Sequence, residues 1–257
     1  LTERYRQPTR KTIIGVCHLA PLPGSPQAAT LDRALDRALK DAKALESGGV
    51  HALIVENYGD RPFTAGRVGP ETVAALTRIA AEIRKAVRIP IGINVLRNDA
   101  RSALAIAHVV GAEFIRVNVL SGVYVAGEGM LVGEAAELLR YRKTLGARVQ
   151  LYADVLVKHA HPLAPTPIAT LARDTAYRAG ADVLVVTGAE TGLEPDVKTI
   201  HAIRDAVPDR PIFVGSGLTP DNMELLQEAD GAIVGTYFKA GGHVDPRRVR
   251  RLMRETR

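Results

Sequence analysis

The chain has 257 residues, 46% of them apolar and 24% charged, with a single cysteine, Cys17. That is enough apolar material for one large core; it excludes an intramolecular disulfide, and no apolar run approaches the ~18 residues of a membrane span. The net charge of +6 sits at the ends: Arg4, Arg6, Arg10 and Lys11 against Glu3 in the tail 1–11, and six arginines against Glu255 in the tail 247–257. The body between them is slightly acidic, and aromatics at 4% do not supply the stacking platform of a nucleic-acid groove.

The expectation is therefore a soluble, cytoplasmic protein with no nucleic-acid partner and no membrane insertion. The opening LTERYRQPTRK also lacks the apolar middle of a signal peptide.

In chain order, TIIGVCHL (12–19) reads as a first strand, followed by a helix over 30–47 that Thr30 caps and the GGV at 48–50 ends. HALIVEN (51–57) precedes a helix at 70–87, PIGINVL (90–96) one at 99–110, and EFIRVNVL (113–120) one at 132–145. RVQLYADVLV (148–157) leads to a helix at 167–179, DVLVVTG (182–188) to 195–206, PIFVGSG (211–217) to 220–228, and GAIVGTYF (231–238) to 245–254. Pro70, Pro195 and Pro220 fall just inside helix starts, where the missing N–H costs nothing. Eight strand–helix units in strict alternation imply parallel strands closed into a (β/α)8 TIM barrel, one α/β domain over 1–257. An open doubly wound sheet is the runner-up, but no G-x-G-x-x-G follows the first strand. Loops after strands one, two, four and five are the long ones, which places the site at the strands' C-terminal ends.

Alternation along each strand sorts its side chains. In the fifth, Val149, Leu151, Ala153, Val155 and Val157 form an apolar set for the helix layer, leaving Asp154 and Lys158 to point toward the axis. The same test turns Arg116 and Asn118 inward on the fourth strand, Asn94 on the third and Glu56 on the second. Charged and amide groups on an inward parity are costly unless paired, so their concentration at one barrel mouth points to function as well as to a structural network. Asp154, Glu56, Lys158 and His159 are the catalytic candidates; His18, Asn94, Arg116 and Asn118 are the substrate-binding ones.

The seventh strand ends in Gly-Ser-Gly and the eighth in Gly-Thr. Loops after strands seven and eight form the usual phosphate cradle of a barrel, with glycines admitting an anion to the main chain and a helix N-terminus facing it. Ser216, Gly217, Gly235 and Thr236 are the phosphate-binding candidates, with TPDN (219–222) opening the helix. Tight turns alone would also explain the glycines.

His18 ends the first strand, and His159 and His161 follow the fifth; as strand-end imidazoles they suit acid–base work or metal ligation. No H-E-x-x-H spacing occurs, no metal ligand is assigned, and a divalent metal beside Asp154 and Glu56 stays open as the one cofactor option. His51, His108, His201 and His243 read as structural or solvated, and Cys17 as a buried core thiol.

Taken together, GVCHLAPLPGSP, ALIVENYGDRPF, VGPETVAALT, IPIGINVLRND, FIRVNVLSG, ADVLVKHAHPL, VTGAETG and GSGLTPDN resemble, in order over 12–254, the BtpA/SgcQ family of TIM-barrel proteins. The family's name comes from a cyanobacterial member tied to photosystem I biogenesis or stabilisation, and a bacterial branch sits among sugar-utilisation proteins. The resemblance implies the barrel; it supplies no residue roles. Two functions are expected: an enzyme acting on a small phosphorylated sugar or nucleoside-like metabolite by acid–base chemistry, as isomerase, lyase or nucleosidase, or a non-catalytic biogenesis factor for a membrane complex. A homo-oligomer is the expected assembly.

Overall fold

The computed structural model describes residues 11–28, 30–188 and 190–256; the basic arm 1–10 and Arg257 lie outside the described residues. Eight parallel strands close a barrel: β1 (Thr12–His18), β2 (Ala52–Glu56), β3 (Ile91–Asn94), β4 (Phe114–Val117), β5 (Gln150–Asp154), β6 (Val183–Val186), β7 (Ile212–Val214) and β8 (Gly231–Val234). Each pairs with its chain neighbour, and β8 returns to β1 in the register Thr12↔Gly231 to Gly15↔Val234. The outer helices are α1 (Leu31–Gly48), α2 (Pro70–Ala86), α3 (Ala100–Val110), α4 (Ala135–Thr144), α5 (Ile168–Arg173), α6 (Val197–Ala206), α7 (Leu225–Glu228) and α8 (Pro246–Glu255).

Local chemistry sets several boundaries. The Thr30 hydroxyl caps α1 by accepting from Arg33 N at 3.4 Å, and Gly49 ends that helix at φ 96°, a conformation that a side chain disfavours. Pro70 begins α2 as expected, whereas Pro195 stands outside α6, whose cap is Asp196. Pro220 opens only a 3₁₀ turn, Pro220–Asn222, ahead of the four-residue α7. The end of α5 widens into a π-turn, Asp174–Arg178.

Side-chain parity divides the core into two shells. Leu53, Val55, Ile91, Ile93, Ile115, Val117, Leu151 and Ala153 belong to the large apolar cluster between strands and helices. The other parity fills the barrel: Ile14, Ile54, Phe114, Val185, Phe213 and Ile233 form a separate cluster with Tyr152. Size is matched across strands there. A Cβ at Gly92 would lie 2.3 Å from the Phe114 ring, and one at Gly231 2.6 Å from that of Phe213. Tyr152 bridges the two rings, its centroid 4.6 Å from Phe114 and 5.5 Å edge-on from Phe213.

Two of the long loops are not irregular. Val123–Ala126 and Gly129–Val132 form a hairpin, and Ala160–Pro162 from the loop after β5 adds to it as a third antiparallel strand. Its inner face packs Tyr124 and Leu131 on Val119 and Val157 over the barrel rim. Among the described residues no helix is long and apolar enough to cross a membrane.

Candidate functional site

The inward parity of β1 to β5 changes character at the strands' C-terminal ends, where His18, Glu56, Asn94, Arg116 and Asp154 follow the apolar floor. Arg116 and Asp154 make a bidentate pair, Nε to Oδ1 at 2.9 Å and Nη2 to Oδ2 at 3.1 Å, and the Asn118 amide donates to the same Oδ2 at 3.0 Å. With its side chain fully buried, Asp154 has both oxygens committed. Burial works against the charge on Arg116, but Asp154, and then Glu56, outweigh it and hold the guanidinium pKa above its ordinary value.

Glu56 is held differently. Asn94 Nδ2 donates to its Oε2 at 2.6 Å, while among the described residues Oε1 faces only His18 Nε2, at 3.4 Å. His18 stacks on Tyr58 with ring centroids 4.2 Å apart, and the Lys239 ammonium contacts its Nδ1. An ammonium can only donate, so Nδ1 accepts and the neutral ring carries its proton on Nε2, toward Glu56. Burial first, then Lys239, Lys158, Arg61 and Arg116, push the His18 pKa well below its usual value.

These groups border two connected lobes. One, about 160 Å³, runs from His18, Tyr58, Arg116 and Lys158 to the turns Gly215–Thr219 and Gly235–Tyr237. The other, about 370 Å³, is lined by Arg61, Phe63, Arg97, Asn118, Glu128, Asp154 and His159. Glu56, Tyr58, Arg116, Lys158 and Thr191 line both and form the waist. The Lys158 amine makes no hydrogen bond or ion pair among the described residues, and burial, then Arg116, lower its pKa to about 8. Lys239, desolvated behind His18, is also lowered to about 8.

Most residues expected from the sequence meet at this mouth, with some differences of detail. β5 ends at Asp154, so Lys158 arrives on the following loop rather than by strand alternation. His159 adopts φ 55° and contacts Thr191, its Nε2 3.1 Å from Oγ1, on the exposed side of the larger lobe. His161 lies in the small sheet and does not line either lobe. No three His, Cys, Asp or Glu side chains converge as a metal site would need, among the described residues. Cys17 is buried in the helix-side shell, its thiol pushed up to about 12 by burial and then Asp41.

Ser216, Gly217, Gly235 and Thr236 line the smaller lobe together; protein contacts account for the glycines of the seventh turn, while a Cβ on Gly235 would come no nearer than 3.4 Å, to the His18 ring. A Cβ on Gly215 would meet Val185 at 2.5 Å, and one on Gly217 the Glu194 main chain at 2.4 Å. Ser216 Oγ donates to Leu193 O at 2.8 Å. The expected helix N-terminus is absent as a source of charge: the capping box of Thr219 and Asn222 closes a three-residue turn, too short for a macrodipole. What remains for an anion is main-chain N–H. Those of Ser216, Gly217 and Thr236 have no acceptor among the described residues.

Sequence reasoning missed Tyr58, Arg61, Arg97, Thr191 and Lys239. Arg61 lies 4.1 Å over the Tyr58 ring, and Arg97 donates to Lys158 O and stands 3.8 Å from Glu128. YGDRPF did mark itself as a loop with an aromatic and a cation together; nothing in the sequence pairs Lys239 with His18.

The BtpA family model matches residues 9–257. An uncharacterized protein of Archaeoglobus fulgidus is 48% identical over 95% of this chain and 98% of its own length. The photosystem I biogenesis protein BtpA of Synechocystis is 46% identical over 94% of this chain and 86% of its own. Among solved structures, N-(5'-phosphoribosyl)anthranilate isomerase from Pyrococcus furiosus superposes with a TM-score of 0.61 over 96% of this chain and 98% of that one, at 14% identity, a likeness of fold alone. By sequence over nearly its whole length, and by the closed barrel that carries it, the chain belongs to the BtpA family.

Proposed function

We propose that this chain is an enzyme acting on a small phosphorylated sugar or nucleoside-like metabolite by acid–base chemistry at the C-terminal mouth of the barrel. The observation that carries the reading is the waist: Lys158 and a half-free Glu56 carboxylate stand between a lobe bordered by unbonded main-chain N–H groups and a second lobe large enough for the rest of a metabolite. Ser216, Gly217, Gly235 and Thr236 hold the phosphate, and Arg116 and Lys158 stabilise negative charge developing beside them. Glu56 moves the proton, because its Oε1 has room for a substrate hydrogen bond, while Asp154 holds Arg116 and Asn118 in place. His18, Asn94 and Asn118 orient, and His159 borders the outer lobe.

The test is a melting-temperature screen of phosphate esters, since specific binding stabilises the folded state by mass action. A phosphorylated sugar should raise the midpoint in the wild type and, with turnover lost, in Glu56→Gln. No shift with any ester sinks the reading.

A second reading, a biogenesis or stability factor, is favoured by the name of the Synechocystis relative and by one surface. Val125, Met130 and Val132 share the outer face of the small sheet, with exposures of 46%, 64% and 50%. Under that reading Met130→Glu abolishes function while ester binding is unaffected.

A further inference from the structure

We propose that Lys158 is a nucleophile that forms an imine with a substrate carbonyl, which narrows the substrate class to phosphorylated aldehydes and ketones; this rests on the reading of the mouth as a phosphate-ester site. Four observations place the amine for that role. Lys158 lines both lobes, so a substrate anchored by phosphate in the smaller one carries its next carbons past the amine. No carboxylate pairs with Lys158 among the described residues; Asp154 is taken up by Arg116 and Asn118. The loop that bears it is fixed, because Arg97 donates to the Lys158 carbonyl and the Thr187 hydroxyl to that of Leu156 at 2.9 Å. Burial, then Arg116, outweigh the pull of Asp154 and Glu56 and lower the pKa to about 8, so the neutral amine, the form that attacks carbonyls, is more available than on a free lysine. The other desolvated lysine, Lys239, is bonded to His18 and lines neither lobe.

The step balances with groups already present. The amine nitrogen bonds to the carbonyl carbon as the C=O π pair moves to oxygen. Glu56 first takes a proton from the ammonium and, after attack, gives it to the alkoxide; it then takes a second from nitrogen and passes it to the hydroxyl, which leaves as water. The sum is carbonyl plus ammonium giving iminium plus water, so the cation near Glu56 and Asp154 is conserved. The iminium then accepts the electron pair of a C–H or C–C bond beside it, the chemistry of an isomerase or an aldol-type lyase.

The experiment uses the full chain with pyridoxal 5′-phosphate, an aldehyde and a phosphate in one probe, followed by borohydride reduction and peptide mapping. The expected result is about one reduced adduct per chain, on Lys158, suppressed by excess inorganic phosphate and formed about tenfold more slowly with pyridoxal, which lacks the phosphate anchor. Lys158→Arg keeps the charge but not the nucleophile and should lose the adduct while keeping the melting shift with glycerol 3-phosphate, which has no carbonyl. Label spread over surface lysines, label on Lys239, or undiminished label in Lys158→Arg overturns the proposal. If glycerol 3-phosphate shifts the melting point and no Lys158 adduct forms, the imine is wrong and the phosphate site stands. If neither occurs, both fall.

Discussion

The floor and the mouth of the barrel are built on the same strands and the same parity, one pleat apart. Phe114 is followed inward by Arg116 on β4, Tyr152 by Asp154 on β5, Gly92 by Asn94 on β3, Ile54 by Glu56 on β2 and Val16 by His18 on β1. Below that level, interlocking rings and glycines give stability through burial. Above it, buried polar groups are tolerated through specific partners, and the partly buried Lys158 amine has none among the described residues. Stability and chemistry are thus separated by about 7 Å along a strand, and substitutions at the two levels should behave differently.

The largest effect is expected at the mouth. Asp154→Asn keeps the shape but leaves Arg116 without its counter-charge, and should lower unfolding free energy by about 3–5 kcal/mol in denaturant titration. Replacing both partners, Arg116→Met with Asp154→Leu, should recover most of it; a double variant as unstable as the single one would show that the pair itself, not the stranded cation, matters. In the floor, Gly92→Ala drives a methyl into the Phe114 ring and should cost about 1–3 kcal/mol while leaving ester affinity in the surviving folded protein unchanged. Equal loss of affinity would mean floor and mouth are coupled.

The smallest effect has the opposite sign. Folded Lys158 titrates near 8 against 10.5 for the free side chain, so between those values the unfolded chain binds more protons and stability rises with pH. Below pH 8 the desolvated ammonium is a standing penalty, and Lys158→Met should stabilise the protein at pH 7 by about 1–2 kcal/mol while abolishing turnover. Unchanged or lowered stability would show that the amine is already paired.

The fold was legible because alternation is a local signal. Ile91, Ile93, Ile115, Val117, Leu151 and Ala153 read as outward and lie in the helix-side shell; Glu56, Asn94, Arg116 and Asp154 read as inward and meet at the mouth. What stayed hidden depends on distant pairing. VYVAGEGMLV has the alternation and glycine turn of a hairpin, so that part was within reach, but its third strand comes from Ala160–Pro162 and only the folded barrel brings it there. Lys239 and His18 are 221 positions apart and meet because the barrel closes. Alternation also misjudged how Lys158 arrives, since it cannot register that β5 stops at Asp154. The glycines of the seventh turn are needed by the chain itself, since a Cβ at Gly215 or Gly217 would strike Val185 or the Glu194 main chain, whereas a Cβ at Gly235 of the eighth turn would make only ordinary contact with His18.

Asn57, next to Glu56, bonds both sides of one residue: its Oδ1 accepts from Leu96 N at 2.7 Å and its Nδ2 donates to Leu96 O at 3.1 Å and to Asp60, which in turn receives Leu22 N at 2.7 Å. A single buried amide thereby rivets the segments after the first three strands into one plate. Whatever enters the barrel meets a cross-braced jamb on that side, while on the opposite bank Leu193 and Glu194 rest on Ser216 and Gly217 through one side-chain hydrogen bond and close main-chain packing.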